Sequence, residues 1–213
     1  MKKIALFVHQ PACSVQSANG IIQALGTHYN FKIFTRHAVE RDFFDDVDLV
    51  VFPGGLGDAD CFEYLLKDNK SRIQEFVDQG GAYLGICMGA YWAGSNYFNL
   101  INNVDAVQYM RRPDADTRRP HAKNISVHWN DIPMKMFWYD GCALIGDETQ
   151  FKTVARYAAN SDPMAIIQGR VGLIGCHPES MPHWYLSYSW LRGQYHGGHH
   201  HRLLLDFVNN LMA

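Results

Sequence analysis

Residues 82–94, AYLGICMGAYWAG, decide how the rest of this chain is read. AYLGIC is an apolar run of strand length, and MGAYWAG continues it in small residues of helical composition. Cys87 stands at the junction, with Gly85 and Gly89 on either side. G-x-C-x-G is the pattern of a nucleophile elbow, a strand-to-helix turn so sharp that only small neighbours fit beside the strained central residue. Such a turn lifts a sulfur to the edge of a sheet at a helix N-terminus, where the dipole favours the thiolate, the attacking form. The motif alone fits both a nucleophile and a packed core cysteine, so the choice passes to the remaining sequence.

Upstream of this stretch, strand and helix signals alternate. KIALFVH (3–9), FKIFTR (31–36) and DLVVFPGG (48–55) are strand-like, the last running into a glycine turn. Between the first two lies SVQSANGIIQALG (14–26), with Ser14 placed as N-cap, Val15, Ala18, Ile21, Ile22 and Leu25 on one face, and Gly26 to stop it. CFEYLL (61–66) and SRIQEFVDQGG (71–81) have helical periodicity, the second stopped by Gly80 and Gly81. Near-continuous apolar strands alternating with helices predict an α/β fold, flavodoxin-like and doubly wound, with a mostly parallel sheet covered by helices on both faces. Downstream the pattern is less regular. Strands are expected around the polar loop of 106–129 and in KMFWYDGCALIG (135–146). KTVARYA, MAIIQGR and VGLIGCHPES should form a meander, and RLLLDFVNNLM (202–212) a closing helix. No linker or repeat interrupts the chain, and one domain over 1–213 is expected.

Composition excludes several classes. The 213 residues are 47% hydrophobic and 19% charged with a net charge of −2, a globular profile that advertises no nucleic-acid partner. The one basic cluster, RRPDADTRRP, is diluted by Asp114 and Asp116 and broken by two prolines, and reads as a solvated loop. The apolar run after Met1 is too short for a signal-peptide core, and no stretch approaches a membrane span, so no membrane partner is expected. Five scattered cysteines without a CxxC pair argue against a disulfide framework or zinc ribbon and for a reducing cytoplasm.

In an open parallel sheet, ligands sit at the carboxyl ends of the strands. Three loops of unusual composition leave strands at that edge: PGGLGD, GICMGA and GCHPES. In the third, His177 and Glu179 lie two apart, so on an extended segment both side chains leave one face, with Pro178 stiffening the backbone between them. A carboxylate there can orient the imidazole while the imidazole takes a thiol proton. In the first, the Gly54-Gly55 turn can bring a backbone N–H close to a developing oxyanion, and the Met88 amide, next after Cys87, is the natural second donor. Each loop also has a plain structural explanation; the three together on one sheet edge are much more specific than any alone.

The order PGG, G-x-C-x-G, H-P-E resembles a class I glutamine amidotransferase-like domain. More narrowly, FPGGLGDADCFEYLL, IQEFVDQGGAYLGICMGAYWAG and FWYDG resemble the biotin–protein ligase N-terminal domain family, over most of the chain from the first strand through GCHPES. The resemblance implies Cys87 as nucleophile, His177 as base, Glu179 as orienting acid, and the Gly55 and Met88 amides as oxyanion hole. Gly54, Tyr91 and Tyr139 are expected to border the substrate. Glutamine amidotransferases usually carry G-x-C-x-G-x-Q; here Tyr91 holds the glutamine position, which puts glutamine as substrate in doubt. The GRGRRG-type biotin-binding motif of the ligase is absent, so the chain reads as a free-standing member, and biotin transfer is not implied for it.

Besides a redox- or aldehyde-handling thiol protein on a related sheet fold, whose site would not need His-Pro-Glu, two functions remain open on sequence. One is a cysteine-dependent amide hydrolase or amidotransferase-like enzyme acting through a thioester on a small-molecule or peptide amide, needing neither metal nor organic cofactor. The other is a non-catalytic binding or regulatory domain that has kept the scaffold and works through a protein partner. YHGGHHHR supplies His196, His199, His200 and His201, read as a solvated loop in preference to a metal-binding tract. The aromatics of MFWYDG and MPHWYLSYSW either wall the crevice or fill the core.

Overall fold

The structure, a computed structural model, describes residues 1–37 and 42–213. Its strands are β1 (Lys3–Phe7), β2 (Asn30–Phe34), β3 (Leu49–Phe52), β4 (Ala82–Ile86), β5 (Val104–Gln108), β6 (Lys123–Trp129), β7 (Ile132–Trp138), β8 (Cys142–Gly146), β9 (Lys152–Tyr157), β10 (Pro163–Gln168) and β11 (Val171–Ile174). Its helices are α1 (Val15–Leu25), α2 (Phe62–Leu65), α3 (Lys70–Asp78), α4 (Met88–Trp92), α5 (Pro182–Leu186) and α6 (His199–Leu211). One nine-stranded sheet runs β2-β1-β3-β4-β11-β10-β9-β6-β7, and β5 pairs with β8 in a separate ribbon. From β2 to β11 every pairing is parallel. From β11 outward the meander makes every pairing antiparallel.

The central parallel strands β3, β4 and β11 are apolar at every position because both faces are covered. Ile4 and Leu6 of β1, Leu49 and Val51 of β3, and Leu84 and Ile86 of β4 pack with Ala18 and Ile21 of α1 and Leu204 and Phe207 of α6. The alternate residues Ala5, Phe7, Val50, Phe52 and Tyr83 pack on the other side with Phe62 of α2, Ile73 and Phe76 of α3 and Trp92 of α4. β4 and β11 are hydrogen-bonded neighbours, with Ile174 opposite Ile86, so the loops that follow them leave the sheet side by side. The loop after β3 emerges beside them, through the pairing of Phe52 with Gly85.

Two details differ from expectation. In α1, Val15 and Ile22 are 38% and 37% exposed, while Ser17 and Gly20 are buried with Ala18, Ile21, Ala24 and Leu25. The helix turns its small residues inward because the loop after β11 lies directly against them. The histidine-rich segment is not a solvated loop either: His199, His200 and His201 form the first turn of α6, and His200 is buried. Among the described residues no helix is long and apolar enough to cross a membrane.

Candidate active site

Cys87 occupies φ 51°, ψ −104°, a backbone conformation that a non-glycine residue rarely adopts. The turn is held by the Cys87 N–H donating to the Ile174 carbonyl at 2.8 Å, and by its own carbonyl accepting from Ala90 N–H at 3.0 Å. The two flanking glycines are sterically required. A Cβ on Gly89 would lie 2.1 Å from the Phe52 carbonyl oxygen, and one on Gly85 would lie 2.3 Å from the Gly89 carbonyl oxygen. Small neighbours are therefore what lets α4 start immediately after β4, with the sulfur at the sheet edge.

His177 and Glu179 arrive from the loop after β11, as their two-residue spacing predicts. The His177 ring Nδ1 lies 2.8 Å from Glu179 Oε1. Its backbone N–H donates to the Phe137 carbonyl at 2.9 Å, which ties the loop to β7. The Cys87 elbow leaves the sheet beside this loop, at the end of the neighbouring strand β4, and the Cys87 sulfur is 3.8 Å from the Tyr139 carbonyl oxygen. Burial disfavours charge on the His177 ring, but the Glu179 carboxylate and the Cys87 sulfur outweigh it and raise the imidazole to about 10. The Glu179 carboxylate beside Nδ1 thus favours the protonated ring.

Ser17, absent from the sequence reading as a site residue, completes this cluster. Its Oγ donates to Glu179 Oε1 at 2.6 Å and accepts from the Gly54 N–H at 3.0 Å. Ser17 and Glu179 are both fully buried. One turn further along α1, Gly20 leaves room for the Glu179 backbone: a Cβ there would lie 2.2 Å from the Glu179 carbonyl oxygen. Small residues at 17 and 20 on the inward face of the first helix were the available signal.

The Gly54 N–H is therefore committed to Ser17. The Gly55 and Met88 N–H groups, by contrast, meet no acceptor among the described residues. Both residues line the same cleft as Cys87. Gly54 itself packs on the imidazole, where a Cβ would sit 2.7 Å from His177 Cε1.

Two clefts open on this cluster and share Gly55 and Tyr139. The larger, about 670 Å³, exposes Cys87 and is bordered by Asp58, Tyr91, Gln108, Arg111 and Asp140. The smaller, about 270 Å³, exposes His177 beside Gly54, Leu56, Phe137, Trp184 and Tyr188. Tyr91 and Tyr139 thus border the cleft as expected, whereas Arg111 and Asp140 were unforeseen. Arg111 belongs to the basic segment read as a solvated loop. Asp140 takes Gln108 Nε2 at 3.1 Å, and burial raises its carboxyl pKa despite that bond and the Arg111 charge. The Tyr91 hydroxyl is buried without a partner among the described residues, and burial pushes its ionisation up.

The other four thiols are unlike a reactive site. All five cysteines are free. Burial raises the pKa of Cys13, Cys142 and Cys176 strongly and that of Cys61 to about 11. The histidine cluster supports the site from behind: His196 Nε2 lies 2.9 Å and His201 Nε2 3.2 Å from the carbonyl oxygen of Ser180, next to Glu179. Among the described residues no group of His, Cys, Asp or Glu is arranged to hold a metal ion.

Solved structures of similar architecture define the class. PurLQS from Thermotoga maritima matches with a TM-score of 0.67 at 14% identity, covering 100% of this chain and 99% of that one. A glutamine amidotransferase from Thermotoga maritima matches at 0.67 and 12% identity, covering 99% and 98%. The fold is that of the class I glutamine amidotransferases. Residues 9–111 match the family described as biotin-protein ligase, N terminal. The chain thus has a class I glutamine amidotransferase-like fold and is similar to this family over residues 9–111. The family match includes the PGG loop and the elbow and ends before the His-Pro-Glu loop, a shorter span than the sequence resemblance. An uncharacterized protein of Chlamydia muridarum (strain MoPn / Nigg) is 29% identical over 164 residues, 65% of this chain. The match spans 62% of that relative, less than two thirds of its length.

Proposed function

We propose that this protein is a cysteine-dependent amide hydrolase or amidotransferase-like enzyme that works through a thioester on Cys87. The observation that carries the reading is the buried imidazole of His177, 2.8 Å from Glu179 on a loop that leaves the sheet beside the Cys87 elbow. Cys87 Sγ, as thiolate, attacks an amide carbonyl, and the oxyanion that forms is met by the Gly55 and Met88 N–H groups. His177 Nε2–H protonates the leaving nitrogen as the C–N bond breaks, while Glu179 holds the ring through Nδ1. Water, activated by the now neutral ring, then cleaves the thioester, or an amine takes the acyl group instead. The residues named suffice for these steps without a cofactor. Free thiols throughout suit a cytoplasmic setting.

The second reading, a non-catalytic binding or regulatory domain, is favoured by Tyr91. Its ring stands where glutamine amidotransferases carry a glutamine, and its buried hydroxyl offers the cleft no accessible polar group. Iodoacetamide alkylation of Cys87, followed by peptide mass spectrometry across pH 5–9 in wild type and His177→Ala, separates the two. Fast labelling well below pH 8 that is lost in the variant is the expected result. Labelling that follows an ordinary thiol titration near 8.5, unchanged by the mutation, would favour the binding domain. The other four cysteines, their thiols held neutral by burial, serve as internal references.

A further inference from the structure

The two clefts differ in chemistry, and the scissile bond has to lie across their junction. An acyl carbon within reach of Cys87 Sγ and the Gly55 and Met88 N–H groups belongs to the larger cleft, where Arg111, Asp58 and Asp140 supply charges of both signs. The nitrogen protonated by His177 has to face the imidazole, so whatever that nitrogen carries projects into the smaller cleft. There Leu56, Phe137, Tyr139, Trp184 and Tyr188 wall it, Ser14, Gln16 and Ser187 add neutral polar groups, and no charged side chain other than His177 lines it among the described residues. Trp184 is fixed edge-on to both Phe137 and His177, at ring-centroid distances of 5.1 and 5.5 Å. Its ring is buried in a cluster with Ala122, Tyr185 and Leu191, so this wall is built before any ligand arrives.

Ammonia would leave such a volume largely empty. About 270 Å³ accommodates a ring-sized group, and the aromatic walls reward one. We infer that the amide taken by this site carries an apolar, aromatic-sized substituent on its nitrogen, held in the cleft beside His177, so that the first product released is an organic amine. The inference rests on the thioester reading above and deepens it. In the acylation step the Sγ–C bond forms, the C–N bond breaks, and the His177 Nε2 proton leaves with the amine. In deacylation one water supplies the hydroxyl of the carboxylic acid, its other proton restores the His177 imidazolium, and the C–S bond breaks to free the Cys87 thiolate.

The test uses matched amides, each acyl group (acetyl, succinyl, γ-glutamyl) presented once as the primary amide and once as the N-benzylamide. Released amine and acid are quantified by chromatography with the intact chain, wild type and Tyr188→Ala. The expected result is a kcat/KM about tenfold or more higher for the benzylamide with at least one acyl group, and a ratio that falls several-fold in Tyr188→Ala. In parallel, millimolar benzylamine slows Cys87 alkylation, and ammonium at the same concentration does not. Primary amides cleaved as fast as benzylamides, or benzylamine giving no protection, would overturn the inference and leave the thioester reading intact. No cleavage at all, with Cys87 labelling indifferent to His177→Ala, would overturn both.

Discussion

Ser17 is the smallest change that tests how the site is assembled. Its hydroxyl bridges α1 to two loops at once, donating to Glu179 at 2.6 Å and accepting from Gly54 N–H at 3.0 Å. Ser17→Ala removes both bonds without altering the backbone or adding bulk. A buried hydrogen bond to a carboxylate contributes roughly 1.5–3 kcal/mol, and the Gly54 N–H left without an acceptor costs about 1–3 kcal/mol more. Because the two losses share one atom they will not add fully, and about 3 kcal/mol is the expected total. For a chain of this size that corresponds to a fall of roughly 6–12 °C in melting temperature. Urea unfolding, compared at equal m-value, measures it directly. Asn19→Ala, on the exposed side of the same helix, is the control and should stay within about 0.5 kcal/mol of wild type. A loss below about 1 kcal/mol in Ser17→Ala would mean that the hydroxyl does not bridge the loops in solution, and the account of how Glu179 is anchored would fail.

The remaining predictions concern pH and the elbow. His177 is raised from its unfolded value near 6.5 to about 10, chiefly by Glu179 and Cys87 against burial, so the stabilisation it supplies is complete below about pH 6.5 and lost as pH rises towards 10. Urea midpoints at pH 6 and pH 10 should therefore fall further in wild type than in His177→Gln, by an amount on the order of a few kcal/mol; equal falls would refute the ion pair. His200 has the opposite sign. Burial, followed by the neighbouring histidines, lowers it to about 3, so the unfolded chain takes up its proton first and stability falls as pH drops from about 6.5 towards 3. His200→Phe, which also removes a buried Nδ1 without a partner among the described residues, should flatten acid unfolding over that range, and an unchanged acid limb would count against it. At the elbow, Gly89→Ala has to displace the Phe52 carbonyl and should cost more than about 4 kcal/mol or prevent folding. Gly169→Ala, at φ +57° with open space around it, should cost only about 1 kcal/mol, and comparable losses at both positions would sink the steric argument.

How much of this was legible in the sequence follows from the range over which each constraint acts. The elbow could be read because its requirement is local: a strained Cys87 between β4 and α4 needs Gly85 and Gly89 within two residues on either side. His177 and Glu179 could be read for the same reason, since their spacing across Pro178 places both on one face of an extended segment. Periodicity also sufficed for the central parallel strands β3 and β4, which are apolar throughout because α1 and α6 cover one face and α2, α3 and α4 the other. Ser17 could not be read, because its partner Glu179 lies 162 positions away and a serine one turn into a helix reads as part of a cap. Val15 and Ile22 misled for a related reason: helical periodicity locates an apolar face, but the buried face of α1 is chosen by the Glu179 loop, which needs Ser17 and Gly20. The same long-range origin accounts for the cleft walls. Arg111 stands in a segment whose composition marks it as solvated, and it borders the Cys87 cleft only because β5 and β8 pair as a separate ribbon against the sheet. Candidate attacking and orienting groups can be read from short motifs, whereas the walls of the clefts beside them are side chains that only the fold assembles.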